Sequence, residues 1–529
     1  MATSRQSIGA LIPGAIVVAF IATIIFTALA ALWQFAFING DEAFYFDSYL
    51  WQVLSFTFVQ AALSTLISII LAVFFAKAIY QNHFIGKIWL LRVLSLTFVL
   101  PSLVVVTGLL AVYGNHGWIA KLSQYLNIDY SFSIYGLNGI LIAHVFLNFP
   151  FASKYCYQSL LLIPNQQRQL AEQLGLNALY TFRYLELPVL VKQLLPLSGL
   201  IFMFCFSSFA TVLALSGGPK YTTIEVAIYQ AVRDFELNQA VILSCIQLLF
   251  CCGFLLLLKR LEPKQAPLLI NNSKAYIGNS GAWQKCLSFS IISAGALFIF
   301  MPLFAIFCEG IYYFSYSFLT QSLVNAASTS IIIAICSAIL AMLQAILVLW
   351  TNSRLQLIGK NKLSEILMLL GSLILAVPSM VLSAGFFILF YSLTDIYGVI
   401  FILVIISNSL LALPFILKQL ASPLADLTKQ YHFLSQSLNI SGLRYFYLIE
   451  FKALKKLFIY SFTLACIMSM GDFGIVALFG GQQFMTLPYY LYELISHYRY
   501  QEASFSALLL LLISFLFMTL FEYSNHDRT

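Results

Sequence analysis

Apolar residues run through this chain in twelve long stretches, with the polar residues gathered between them. Runs of at least eighteen apolar residues are long enough to cross a bilayer as helices. They predict spans near 10 to 34, 53 to 78, 92 to 114, 137 to 157, 194 to 216 and 240 to 258, then near 287 to 312, 322 to 350, 363 to 392, 397 to 418, 456 to 480 and 503 to 522. Between the two sets of six lies a polar stretch, 259–286, with Pro263, Pro267 and Asn271-Asn272-Ser273. It is expected to be a linker between a first half, 1–258, and a second half, 287–529.

The two halves are copies. An offset of 264 residues aligns Pro150-Phe151 with Pro414-Phe415, Lys154 with Lys418, Phe209 with Phe473, Val212 with Val476 and Gly217 with Gly481. An offset of 277 aligns Leu100-Pro101-Ser102 with Val377-Pro378-Ser379, and Gly108 with Gly385. The order of features is kept, so the pattern is a duplication. Six spans separate the copies, so the halves run parallel, related by an axis along the membrane normal.

Composition removes the soluble alternatives. Of 529 residues 61% are hydrophobic and 9% charged, with mean hydropathy +0.92, too little polar surface to cover a water-soluble globule of this size. An all-α polytopic membrane protein is therefore expected, without large aqueous domains. The net charge of +7 reports orientation rather than a nucleic-acid partner: all the Lys and Arg except Lys121, Lys220, Arg233 and Arg499 fall on one side of the predicted spans, which assigns both termini to the cytoplasm. Asp41, Glu42 and Asp47 in the first outer loop agree. The apolar stretch from Ile8 to Trp33 is longer than a signal core and is expected to stay as an anchor. Nine cysteines, with no C-x-x-C pair, read as small buried hydrophobes, with no metal site and no disulfide indicated.

The most informative loop, 161–188, joins the fourth and fifth spans. Pro164 suits a first helical turn, the residues from Gln166 to Leu174 favour helix, and Gly175 can take a left-handed turn. A short helix, a sharp turn and a second helical piece are expected. Gln169, Ala171, Gly175, Leu185 and Leu187-Pro188 resemble, at matching spacing, the EAA loop of ABC importer permeases, departing in its first two letters. The equivalent loop, 423–456, keeps Leu438, Ile449 and Glu450, with Ser435 at the place of Ala171, Asn439 at that of Gly175 and Lys452 at that of Pro188. Asn is the non-glycine residue that best tolerates a left-handed turn, so the second loop is expected to keep its shape.

Along nearly its whole length the sequence is similar to the fused permeases of thiamine and thiamine diphosphate importers of Gram-negative bacteria. The similarity is carried by Asp47-Ser-Tyr-Leu-Trp51, Ile140-Leu-Ile-Ala-His144, Phe209-Ala-Thr-Val-Leu213, Gly471-Asp-Phe-Gly474 and Thr486-Leu-Pro488, among others. It implies the type I ABC importer permease fold and residence in the bacterial inner membrane. It also implies coupling helices near Asn165 to Gly175 and Thr428 to Asn439, docked on two copies of an ATPase subunit, and one periplasmic binding protein. The chain has no G-x-x-x-x-G-K-[ST], so ATP and magnesium belong to the partner and none is expected here. Ferric-iron permeases share this architecture and remain the alternative. A secondary transporter would carry a basic Asp-Arg motif after the second span, where Ala76-Lys77-Ala78-Ile79 has none. No metal-spaced His cluster, nucleophile elbow or intramembrane carboxylate pair suggests an enzyme. Asp472, Phe473, Phe209, His144 and Asn408 are the candidates for the translocation path; for His144 and Asn408 a hydrogen bond between helices competes with that role.

Overall fold

The computed structural model describes residues 2–38, 48–261, 282–390, 397–440, 442–481 and 484–526, which are helices joined by turns, with no strand among them. The centre of the expected linker, 262–281, the acids at 41, 42 and 47, and Arg528 lie outside the described residues. Ten helical segments among the described residues are long and apolar enough to cross a membrane. The two further expected spans are present in other forms. The fourth is the helix Leu137–Leu161, whose apolar run is diluted by Asn138, His144, Asn148 and Lys154. The ninth is divided into Asn361–Gly371 and Ser379–Phe390.

That division is repeated in the third span, where Lys87–Leu96 and Ser102–Tyr113 meet around Leu100-Pro101. In both halves a 3-10 turn precedes an X-Pro step, Thr97–Val99 before Leu100-Pro101 and Leu373–Ala376 before Val377-Pro378. Proline lacks the amide hydrogen the helix needs and drives the residue before it out of the helical region; Val377 accordingly sits at φ −103°, ψ 111°. Continuous spans were expected at both places, and the structure corrects this.

The expected fifth and eleventh spans are also broken. Leu187–Phe206 stops at Ser207 and resumes as Ala210–Leu215, and Lys452–Gly471 stops at Asp472 and resumes as Gly474–Phe479. Each is followed by a short helix absent from the sequence reading, Ile224–Arg233 and Leu487–Ser496, with most of its residues buried. These two helices are seated alike: Ile224 donates its amide to Thr57 Oγ1 at 3.0 Å, and Leu487 donates its amide to Ser330 Oγ at 2.7 Å.

The halves exchange their first helices. Ala2–Ile38 packs on Gln321–Leu357 and Ser379–Phe390 of the second half, while Ala282–Tyr312 packs on Ser48–Gln81 and Ser102–Tyr113 of the first. The crossings depend on the two glycines aligned by the repeat. A Cβ on Gly108 would meet the Pro302 carbonyl oxygen at 2.8 Å, and one on Gly385 would meet the Ala28 carbonyl oxygen at 2.5 Å. Small residues admit such close backbone approach in membrane helix packing. Within each half, Ser48–Gln81 lies along Leu137–Leu161 and Gln321–Leu357 along Tyr397–Ser437.

Candidate functional site

Two arrangements follow the 264-residue offset: a loop present in both halves, on the face that carries Lys77, Arg168 and Arg354, and one aromatic contact in which equivalent residues of the halves meet. The first loop folds as its sequence predicts. Proline at 164 starts the helix Asn165–Gln173, and Gly175 turns at φ 67°. Gly175 donates its amide to Glu172 O at 2.9 Å and Leu176 to Ala171 O at 3.0 Å, so the last carbonyls of the helix are satisfied. In the second loop Asn439 takes φ 50°, and the same pair of bonds recurs from Asn439 to Gln436 O at 3.1 Å and from Ile440 to Ser435 O at 2.9 Å. Ala171 and Ser435 thus supply equivalent acceptors. Each loop leaves three leucines exposed at matching positions, Leu170, Leu174 and Leu179 in the first and Leu434, Leu438 and Leu443 in the second.

One expectation for the second loop fails. In place of a separate short helix, a single helix runs from Tyr397 to Ser437. Thr428 stands where Pro164 restarts the first loop, so nothing there breaks the backbone ladder.

Beyond the turns, both loops pass through one wide π-helical turn, Phe182–Glu186 and Phe446–Phe451. Its glutamate is buried in both copies, and sequence reading singled out only Glu450. Glu186 accepts a bond from Arg168 Nη1 at 3.0 Å and pairs with Lys77 Nζ at 3.2 Å. Glu450 accepts from Arg354 Nη1 at 3.0 Å and from the Thr428 hydroxyl at 3.1 Å. Lys77 and Arg354 are themselves repeat partners, at the offset of 277. That match, with Glu186 facing Glu450 in the alignment, was the available signal. Leu185 and Ile449 are half-buried beside these acids, and Leu187-Pro188 opens the fifth helix with proline in its first turn.

At the other end of the same helices, Phe209 and Phe473 stack across the halves, with ring centroids 5.5 Å apart and planes inclined by 14°. Tyr229 lies 5.3 Å from Phe209 and Tyr492 lies 5.0 Å from Phe473, so four rings in two related pairs fill the contact. Arg233 breaks the symmetry by donating from Nη2 to the Ala477 carbonyl at 3.1 Å. Asp472, next to Phe473, accepts from the backbone amides of Gly474 and Ile475, and its Oδ2 is buried without a hydrogen-bond partner. Its counterpart Ser208 bonds instead to the Thr211 hydroxyl.

The polar candidates of the fourth and tenth spans are tied to these segments. The ring of His144 shares bonds with Ser64 Oγ and Thr211 Oγ1, both at 3.2 Å, and Asn408 Nδ2 donates to Ser469 Oγ at 3.0 Å. Both are buried, and both hold helix to helix. Sequence reading missed Glu225, which has no acidic counterpart in the second half; it is fully buried, accepts from Gln247 Nε2 at 2.9 Å and takes a bond from the Met380 backbone. Away from the loops, a cavity of about 740 Å³ opens among His116, Lys121, Tyr135, Glu309, Arg499 and Glu502. Burial and a hydroxyl contact with Tyr500 push the Tyr135 phenol above its usual range. Among the described residues, no three His, Cys, Asp or Glu are grouped to hold a metal ion.

The profile of the family described as binding-protein-dependent transport system inner membrane component matches residues 68–266. Over nearly the full length, the chain is similar to proteins called thiamine transport system permease protein. The one from Escherichia coli K12 is 41% identical, covering 99% of this chain and 98% of that protein. The one from Haemophilus influenzae is 39% identical, covering 97% and 96%, and that from Brucella abortus 33% identical, covering 94% and 92%.

Proposed function

The chain belongs to the thiamine transport system permeases of binding-protein-dependent importers, and from that membership we propose that it moves thiamine, free or as its diphosphate, from periplasm to cytoplasm. It is the translocation subunit, a multi-pass inner-membrane protein. Two copies of a separate ATPase dock on the loops 161–188 and 423–456, both termini are cytoplasmic, and one periplasmic binding protein sits on the opposite face. The relatives' names favour thiamine over ferric iron.

The observation that carries this reading is the doubled loop. Three leucines are exposed around a left-handed turn, at the same places in each half, as expected of two docking sites for identical partners. The stacked Phe209 and Phe473 are then the closed section of the path, lying where the axis relating the halves passes. Thiamine carries a fixed positive charge. Aromatic faces attract a cation, and the unpartnered oxygen of Asp472 offsets part of its desolvation as it passes.

Reconstitution with the candidate ATPase and binding protein tests the assignment. Thiamine-stimulated ATP hydrolysis in liposomes is expected, with a native mass matching one copy of this chain, two ATPases and one binding protein. Two copies of this chain per complex would contradict it. For the path, Asp472→Asn is expected to slow thiamine uptake per folded molecule severalfold while the binding protein still docks; an unchanged rate removes Asp472 from it.

A further inference from the structure

We propose that Glu186 and Glu450 are positioning residues that carry movement of the two loops to the helices bearing Phe209 and Phe473. This rests on the transport reading above and names the joint through which it works.

Each glutamate sits where three moving parts meet. Glu186 closes the π-turn at the foot of Leu187–Phe206, and one of its oxygens is held by Arg168 of the loop helix Asn165–Gln173. The other faces Lys77, near the end of Ser48–Gln81, whose ammonium also lies 4.3 Å from the centre of the Phe182 ring. Lys77 therefore clasps both ends of the turn. Arg168 is fixed in turn by the Leu160 carbonyl at 3.2 Å and by the Tyr80 ring at 4.3 Å. In the second half the Arg354 guanidinium stacks 3.6 Å from the Trp350 ring and reaches Glu450, while Thr428 bonds the same oxygen from the loop-bearing helix.

A π-turn holds one more residue than an α-turn and is uncommon except at functional sites. Here it recurs at the same place in both copies, with its last acid buried against a cation each time. From this foot a helix of 20 residues, about 30 Å long, leads to the break before the stacked phenylalanine. A displacement of the loop helix cannot leave the glutamate behind without stranding a buried charge, so the helix above must follow. The halves differ in grip. Neither Glu186 Oε2 nor Glu450 Oε2 has a hydrogen-bond partner, but Glu186 Oε2 lies 3.2 Å from the Lys77 ammonium, so Glu186 has a cation at each oxygen and Glu450 has one, at Oε1.

The test measures thiamine delivered per ATP hydrolysed, with the full chain, its ATPase and the binding protein in liposomes. Glu186→Gln is expected to lower that ratio at least fivefold, and Lys77→Met at least threefold, while Glu186→Asp and Lys77→Arg stay within twofold of the parent. Glu450→Gln is expected to change it by less than Glu186→Gln. If Glu186→Gln does not assemble, Lys77→Met and Glu450→Gln decide. Uptake and hydrolysis falling in proportion, with the ratio kept, would reduce these acids to parts of the local fold and overturn the proposal. Parent liposomes that take up no thiamine would defeat the transport reading, and this inference with it.

Discussion

The two loops reach one geometry by different local chemistry. In the first, proline ends one helix and begins another, glycine supplies the left-handed turn, and two cations hold the buried acid. In the second, a helix of 41 residues runs through unbroken, asparagine makes the turn, and one arginine and one hydroxyl hold the acid. What is common to both is the constraint: a left-handed residue after the loop helix, an acceptor at Ala171 or Ser435, exposed leucines, a π-turn and a buried glutamate. What differs is how firmly each is imposed. The duplicated chain has let its second loop drift in sequence while keeping the positions that define its shape.

The sharpest way to break this comparison is to write the first loop's proline into the second. Thr428→Pro places proline in a helix interior, at a cost of about 3 kcal/mol or more, and removes the hydroxyl from Glu450. We expect loss of ATPase from the purified complex and at least a tenfold drop in uptake; tolerance would mean that the continuous helix is incidental.

Next come the turns. Valine at position 175 must adopt a left-handed conformation costing about 1–2 kcal/mol, although no neighbouring atom obstructs its Cβ. Gly175→Val should weaken ATPase attachment about tenfold, and Asn439→Val by less, because asparagine already bears part of that strain. Equal losses in a pull-down at matched expression would show the second turn to be as demanding as the first. The smallest effect is expected from Asn439→Gly, which relieves less than about 1 kcal/mol of strain. It should raise the melting temperature of the detergent-solubilised protein slightly without changing transport; a fall would mean that the asparagine side chain has a bond of its own.

The parts legible in the sequence were those written in hydrophobicity or in backbone freedom. The spans and the duplication follow from apolar runs and their punctuation. The turn at Asn439 followed from what asparagine tolerates, and the glycines at 108 and 385 were paired by alignment before their close approach to the exchanged helices was visible. The breaks at Ser207 and Asp472 were hidden, because one or two small or polar residues hardly dilute the apolar stretch around them. Pro101 and Pro378 were aligned but read as lying within spans, since proline is tolerated in membrane helices, as Pro150 and Pro302 are here. The helices Ile224–Arg233 and Leu487–Ser496 are too short to register as spans. Glu186 was overlooked because its partners, Lys77 and Arg168, come from other helices and converge on it only in three dimensions.

The exchanged first helices set a timetable for making the protein. Gly14 donates its amide to Thr351 at 2.9 Å, across 337 residues of chain. At roughly 5–20 residues per second of synthesis, the N-terminal helix enters the membrane on the order of half a minute before its partner exists. Until then the face it turns to the second half has no protein partner, although it can already meet Leu237–Leu261 of its own half. Joining both halves in one polypeptide ensures that the awaited helix arrives in the same place and in a one-to-one ratio, a condition that separately synthesised halves would have to meet by chance encounter.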